Sequence, residues 1–409
     1  MSDTTTYYGQ LANGIRLVHR QIDSPVSYVG LMVGTGTRDE EPKENGIAHF
    51  VEHAVFKGTT TLSARQIINR IENVGCDLNA YTTKEETVFY AAMLTSYYER
   101  ALRLIADMVF RPSFPADELN KERLVVYDEI ESYNDSPSEL IYDDFENLIF
   151  REHPLHAPVL GEPKTLRWLN GDKLHRFMQR TYNTDAMVFF SLSSLPFNKV
   201  QRLAEKYLTD TPYCSRNFRR NAPIGYKAAE ATFHKHTHQT HCMLGGLAYP
   251  IGHNSQLGLY LLNNILGGAG MNSMLNLAVR EKKGLVYTIE SNYTPLSDTG
   301  YWSVYFASDE KDKEQCIALI NKQLKQLADK PMSVVTLRKY QRQLLGQMAI
   351  MAENQENNAL SMAKQVLYQN VAPTWQSTYK KIEQLTPHEL FSIANECFRL
   401  AQISVLQYC

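Results

Sequence analysis

Residues 49–53 read His-Phe-Val-Glu-His. On an α-helix, positions four apart differ by about 40° in direction, so the imidazoles of His49 and His53 project from one face. Two imidazoles so placed can ligate a single Zn²⁺, and Glu52 sits close enough to reach a metal-bound water without ligating. The order H-x-x-E-H inverts the H-E-x-x-H motif of zinc proteases. With 12 histidines in 409 residues, it arises by chance in on the order of one such chain in fifty. The plain alternative is a solvated helix face. A catalytic zinc takes three protein ligands and keeps one position open for water, so another element must supply the third. The segment ELNKERLVVYDEIESYND (118–135) is strongly helical, its apolar face formed by Leu124, Val125, Val126, Tyr127 and Ile130. Glu122 and Glu129 lie two turns apart along one face, with Glu118 and Glu131 elsewhere. Acids on an amphipathic helix are ordinarily just its solvated side, and spacing alone does not choose among them.

The elements that must position these groups are legible as patterns. Residues 14–22 and 27–35 alternate or run in β-branched residues as strands do, and further strands are expected near 76–82, 86–94 and 187–194. Helical patterns occupy 45–57, 63–74 (with Ser63 as cap and Gly75 as stop), 95–110, 115–134 and 137–152. The second half repeats the order. Strands are expected at 229–235, 241–249, 285–293, 300–307 and 402–408, and helices at 255–266, 272–283, 309–328, 333–349, 355–370 and 386–399. EETVFYAAMLTSYYERALRLIADMV and TGYWSVYFASDEKDKEQCIALINKQL look like one strand-helix unit used twice, with a period of about 200 residues, which means a duplicated domain. The expected fold is therefore α+β, two tandem repeated domains, each a largely antiparallel sheet with packed helices. Their expected limits are 1–207 and 229–409, joined by a linker at 208–228 that has no sustained period.

Composition bounds the setting. At 44% apolar and 21% charged, the chain can bury sizeable cores. Its 42 basic and 44 acidic residues leave a net charge of −2, which gives no electrostatic case for nucleic acid or an anionic membrane. The apolar stretches are too short to span a bilayer. MSDTTTYYGQLANG lacks the features of a signal or transit peptide. Six scattered cysteines without CxxC spacing suggest reduced thiols, and a cytoplasmic location is expected.

The run GIAHFVEHAVFKGT (46–59), followed 76 positions after His53 by Glu129 inside ERLVVYDEIES, resembles the pitrilysin family of metallopeptidases, which includes insulin-degrading enzyme and the mitochondrial processing peptidase. The match continues through NAYTTKEETVFY (79–90), LGGAGMNSML (266–275) and VREKKGLVYTIES (279–291), so it covers nearly the whole chain in order. The resemblance implies one Zn²⁺ per chain held by His49, His53 and Glu129, with Glu52 as the catalytic base and Glu122 as the acid beside the third ligand. It implies that Asn79, Ala80, Tyr81 and Thr82 form an edge strand on which an extended peptide substrate pairs. Arg280 and Tyr287 are implied to reach the substrate from a C-terminal-type domain and to stabilise the developing oxyanion. Met274 and Asn272 depart from the family's glycine turn, where arginine and serine are common.

At the position equivalent to the first-half metal helix, QLGLYLLNNILGG (256–268) has neither histidine nor glutamate, so the second half cannot hold a site of this type. Short-chain members of the family close as a clamshell of two chains, which implies a homodimer or a heterodimer with a related chain and leaves open whether Arg280 and Tyr287 act in cis or in trans. The function implied is zinc-dependent endopeptidase action on peptides or unfolded segments inside a closed chamber. The alternatives are a non-catalytic scaffold or substrate-presenting subunit of the same fold, and a metal-dependent hydrolase of non-peptide substrates. Four features read as incidental. HKHTHQTH carries His234, His236, His238 and His241 without a partnering glutamate; Gly267–Gly270 fits a helix stop better than a phosphate cradle; Arg219 and Arg220 are too few for nucleic acid; and Cys76 reads as a small buried residue.

Overall fold

A computed structural model describes residues 5–235 and 237–409. The expected α+β class with two tandem sheets is what the structure has. The first sheet contains β1 (Thr6–Gln10), β2 (Arg16–Gln21), β3 (Val26–Val33), β4 (Asp77–Thr82), β5 (Thr87–Leu94) and β6 (Met187–Ser193), in the order β1-β2-β6-β3-β5-β4. The second contains β7 (Glu230–Phe233), β8 (Thr240–Ala248), β9 (Val286–Pro295), β10 (Gly300–Ser308) and β11 (Ser404–Tyr408), in the order β7-β11-β8-β10-β9. Drop β1 and the two orders coincide. In each sheet a single parallel pair, β2 with β6 and β7 with β11, interrupts antiparallel pairing. β1 has no counterpart in the second sheet, and the sequence pattern did not announce it.

The central strands of each sheet are buried on both faces. Along β6, Met187 and Phe189 join one core with Val29, Leu31 and Phe89, whereas Val188, Phe190 and Leu192 point the other way. Alternation therefore places apolar side chains on both sides, and the strand reads as a continuous apolar run. The first face is covered by the helices Tyr98–Phe110 and Phe197–Leu208. The second is covered by Ala359, Met362, Ala363 and Val366 of the helix Gln355–Gln369. That helix comes from the second half of the sequence. The reverse occurs in the second sheet, where Ile141, Phe145, Leu148 and Ile149 of the helix Pro137–Ile149 pack against Met243, Tyr301 and Tyr305. The compact units accordingly exchange segments. One takes in residues up to Glu131, Ala157–Arg220 and Ala352–Ala372; the other takes in Ser132–His156, Asn221–Met351 and Pro373–Cys409.

Residues 209–229 form no helix or strand, but the stretch is anchored. The Arg220 guanidinium donates to both Asp39 carboxylate oxygens, at 2.9 and 2.6 Å, and to the Glu85 carbonyl at 2.7 Å. Where periodicity suggested a helix over 272–283, the structure forms a π-helical turn at Asn276–Glu281. The helices Gly171–Thr181, capped by Asn170, and Phe197–Leu208 were not separately anticipated. Among the described residues, no helix is long and apolar enough to cross a membrane.

Met362 is 2% exposed, so Met362→Ala should cost about 2–5 kcal/mol. Amide hydrogen exchange should show protection lost from β2, β3, β5 and β6 but kept in β8 and β10. Equal loss in both sheets would contradict the exchange of covering helices.

Candidate metal centre

The motif falls on α1 (Ile47–Ala54), a short helix almost entirely buried. It has to be short, because Gly46 enters it at φ 89° and a 3-10 turn at Val55–Lys57 leaves it. The two rings lie with centroids 4.6 Å apart. α2 (Ala116–Asn134) brings up the third group. His49 Nε2 lies 3.8 Å and His53 Nε2 3.6 Å from the same oxygen, Glu129 Oε2. Donors bound to zinc at about 2.0–2.2 Å in a tetrahedron stand roughly 3.3–3.5 Å apart, so the observed spacing needs only a slight contraction. Among the described residues, His49, His53 and Glu129 are the one group of histidine, cysteine and carboxylate side chains whose ligand atoms gather in this way, all within 4.8 Å. Glu129 Oε2 is buried with no hydrogen-bond partner. An unpaired buried carboxylate oxygen is costly in a native fold, and a cation between it and two imidazoles removes that cost. The donor set fits zinc.

Electrostatics prepare the donors. Burial, aided by the charge of His53, pushes the His49 imidazole down to about 3, so it is neutral and its lone pair is available. Glu122 Oε1 lies 2.8 Å from His53 Nδ1. A carboxylate can only accept, so Nδ1 donates to Glu122, and Nε2 is the nitrogen left facing Glu129, the one that would take a metal. Burial opposes the charge on Glu122, but the hydrogen bonds from His53 and Lys57 outweigh it and hold the carboxyl below its usual range. Lys57 Nζ lies 2.6 Å from Glu122 Oε2. The sequence reading gave Lys57 no role. Its position four residues after His53, on the same side of a continuing helical turn, is the signal that could have found it.

Glu52 turns inward at 9% exposure, and burial raises its carboxyl above the usual range against the pull of its hydrogen bond and of His53. Its Oε2 accepts from Thr82 Oγ1 at 2.7 Å. Thr82 ends β4, which is the outermost strand of its sheet and pairs on one side with β5, Asn79 opposite Tyr90, Ala80 opposite Phe89 and Tyr81 opposite Val88. Asn79, Ala80, Tyr81 and Thr82 are all half-buried.

Arg280 and Tyr287 belong to the second compact unit. Arg280 lies on the π-helical turn, and its guanidinium carbon sits 5.9 Å from the centroid of the Tyr287 ring, within cation–π range. Tyr287, on β9, is 81% exposed, so its hydroxyl is available to a ligand. Of the histidine run, His234 and His238 are exposed, His236 lies outside the described residues, and His241 Nδ1 meets the Tyr305 hydroxyl at 2.8 Å. Cys76 is buried and unpaired.

Comparison with known proteins gives this geometry its relatives. Residues 17–163 match the family model for insulinase (peptidase family M16), and residues 169–344 match the model of the peptidase M16 inactive domain. The second match covers the half whose helix Gln256–Gly267 lacks histidine and glutamate. An uncharacterized zinc protease of Bacillus subtilis, YmxG, is 31% identical over 94% of this chain and 94% of its own length. An uncharacterized zinc protease of Rickettsia bellii is 33% identical over 74% of this chain and 73% of its own. Two solved structures share the fold. A peptidase M16 inactive domain from Pseudomonas fluorescens superposes with a TM-score of 0.92 at 19% identity, over 99% of this chain and 97% of that one. A protease from Helicobacter pylori superposes with a TM-score of 0.89 at 22% identity, over 99% of this chain and 100% of that one. With its duplicated sheets, its inverted motif and a whole-length relative at 31% identity, the chain belongs to the insulinase family, peptidase family M16.

Proposed function

We propose that the chain is a zinc-dependent endopeptidase that hydrolyses peptides or unfolded segments. The observation that carries this reading is the convergence of His49 Nε2 and His53 Nε2 on the buried, unpartnered Glu129 Oε2. Zinc bound there supplies a Lewis acid for the scissile carbonyl and a water of lowered pKa. The rest is the work of the chain's own residues. Thr82 occupies Glu52 Oε2, leaving Oε1 to take a proton from the attacking water and hand it to the leaving amine. A carboxyl raised by burial is the stronger base for the first of these steps. The outer edge of β4 offers backbone donors and acceptors at Asn79–Thr82, which suits an extended peptide read by backbone more than by side chain. Tyr287, with Arg280 beside it, is assigned to the substrate carbonyl oxygen. One Zn²⁺ per chain, a substrate chamber, and a homodimer or a heterodimer with a related chain complete the proposal, with residues 1–207 and 229–409 as the catalytic and metal-free halves.

Cleavage of a quenched fluorescent peptide pool should stop on complete chelation and return with Zn²⁺; cleavage that survives metal removal would exclude the mechanism. Glu52→Gln should keep its zinc while kcat falls by roughly 10²–10⁴-fold, and retained turnover would remove Glu52 from its role. Lys57→Met takes the cation from Glu122 and should weaken zinc retention about 10-fold or more, measured as metal content after dialysis against a competing chelator. Mixed Glu52→Gln and Tyr287→Phe chains, each inactive alone, should recover activity where the site is shared between chains. Dimers that form without recovering it would place both residues in one chain.

A further inference from the structure

The two histidines are not held in the same way. His53 has its ring fixed through Nδ1 by Glu122. His49 Nδ1 is buried with no partner, although a ligating imidazole ordinarily has its second nitrogen tied down by a neighbouring group. The position of His49 Nε2 therefore falls on the backbone that carries it. That backbone is held by Glu40. The Ala48 amide, in the peptide immediately before the His49 amide, donates to Glu40 Oε1 at 2.9 Å. The Gly46 amide donates to Glu40 Oε2 at 2.9 Å, and Asn45 Nδ2 donates to the same oxygen at 3.1 Å.

The remote carboxylate takes the place of an ordinary helix cap. The N-cap is Gly46, at φ 89°, and a Cβ there would come within 2.8 Å of Gly161 Cα. No side chain fits, so none can cap the first amides locally. Glu40, six residues upstream, reaches back to do it. Burial pushes the Glu40 carboxyl up to about 8 against the pull of these hydrogen bonds, so it is the hydrogen bonds and not a fixed charge that tie it to the helix end. Asn45, itself held through its carbonyl by Thr165 Oγ1 at 2.7 Å, keeps the carboxylate from turning away.

We propose that Glu40 is a positioning residue for the metal centre, setting the height of His49 through the Ala48 amide where no side chain holds the His49 ring. The inference rests on the assignment of His49 as a zinc ligand. Glu40→Gln is the sharp test, because an amide must turn its NH₂ toward one of two backbone donors. Glu40→Asp is the milder one, because it keeps the carboxyl group but shortens the reach.

Zn²⁺ affinity is read by competition with a chromophoric chelator, alongside the melting temperature of the metal-free protein. The comparison is Val200→Ala, a core truncation in the helix Phe197–Leu208. The zinc dissociation constant should rise about 10–100-fold in Glu40→Gln, by a smaller factor in Glu40→Asp, and not at all in Val200→Ala. A folded Glu40→Gln with unchanged affinity would overturn the proposal. So would a loss matched by Val200→Ala at equal melting temperature, or failure of both Glu40 variants to fold, since either would mean that Glu40 serves the fold as a whole. Wild-type protein that takes up no zinc would instead remove the metal site itself.

Discussion

One carboxylate oxygen, Glu129 Oε2, faces two imidazole nitrogens in a buried pocket without a hydrogen bond of its own. Leaving such an atom unpaired costs about 1–3 kcal/mol or more, and a cation held between it and the two imidazoles would remove that cost. Much of the surrounding structure maintains that arrangement. α1 is buried so that its histidines cannot turn to solvent, α2 delivers Glu129 and Glu122 from the same face, and Lys57 neutralises Glu122 so that two acids can stand near each other. The Glu129 side chain remains 42% exposed even though its Oε2 is enclosed. An open coordination position for water is what the catalytic zinc proposed above would need there.

The duplicated sheets show what a common frame can be made to carry. β4 and β9 occupy equivalent outer positions. In the first unit that strand lies beside the helix with the inverted motif; in the second it bears the exposed Tyr287 next to Arg280. The first unit's α1 buries polar donors, whereas the helix Gln256–Gly267 buries Leu259, Leu261, Leu262, Ile265 and Leu266. The same slot in the fold is thus a metal platform in one copy and plain core in the other, and the difference lies in a handful of side chains rather than in topology.

How far the sequence reaches follows from how local each signal is. His49, Glu52 and His53 declare themselves because their relation is complete within two helical turns. Glu129 does not: helical spacing leaves it equivalent to other acids of 118–135, and only the family resemblance selected it. Lys57 escaped because its meaning depends on Glu122, far away in the chain. Strand positions were legible from alternation and apolar runs, but β1, a short Thr-Tyr-Tyr-Gly-Gln segment, carries little of either. The helices Pro137–Ile149 and Gln355–Gln369 show amphipathic periods that say they cover something, and nothing in a period says which sheet. The π-helical turn at Asn276–Glu281 depends on a shift in hydrogen-bond register that apolar spacing does not record.

An outer strand is normally a hazard, since its unpaired backbone invites other chains. β4 is only six residues long and half-buried from Leu78 to Thr82, which limits how much chain it can recruit. Its last residue is bonded through its side chain to the buried carboxylate of Glu52. On the proposed reading, with Glu52 as the base, a peptide laid along β4 would be placed in register by the same strand that holds it, with no second element needed to align them. Backbone pairing supplies that register whatever the peptide's side chains are, so breadth of substrate and exactness of proton transfer need not oppose each other in this fold.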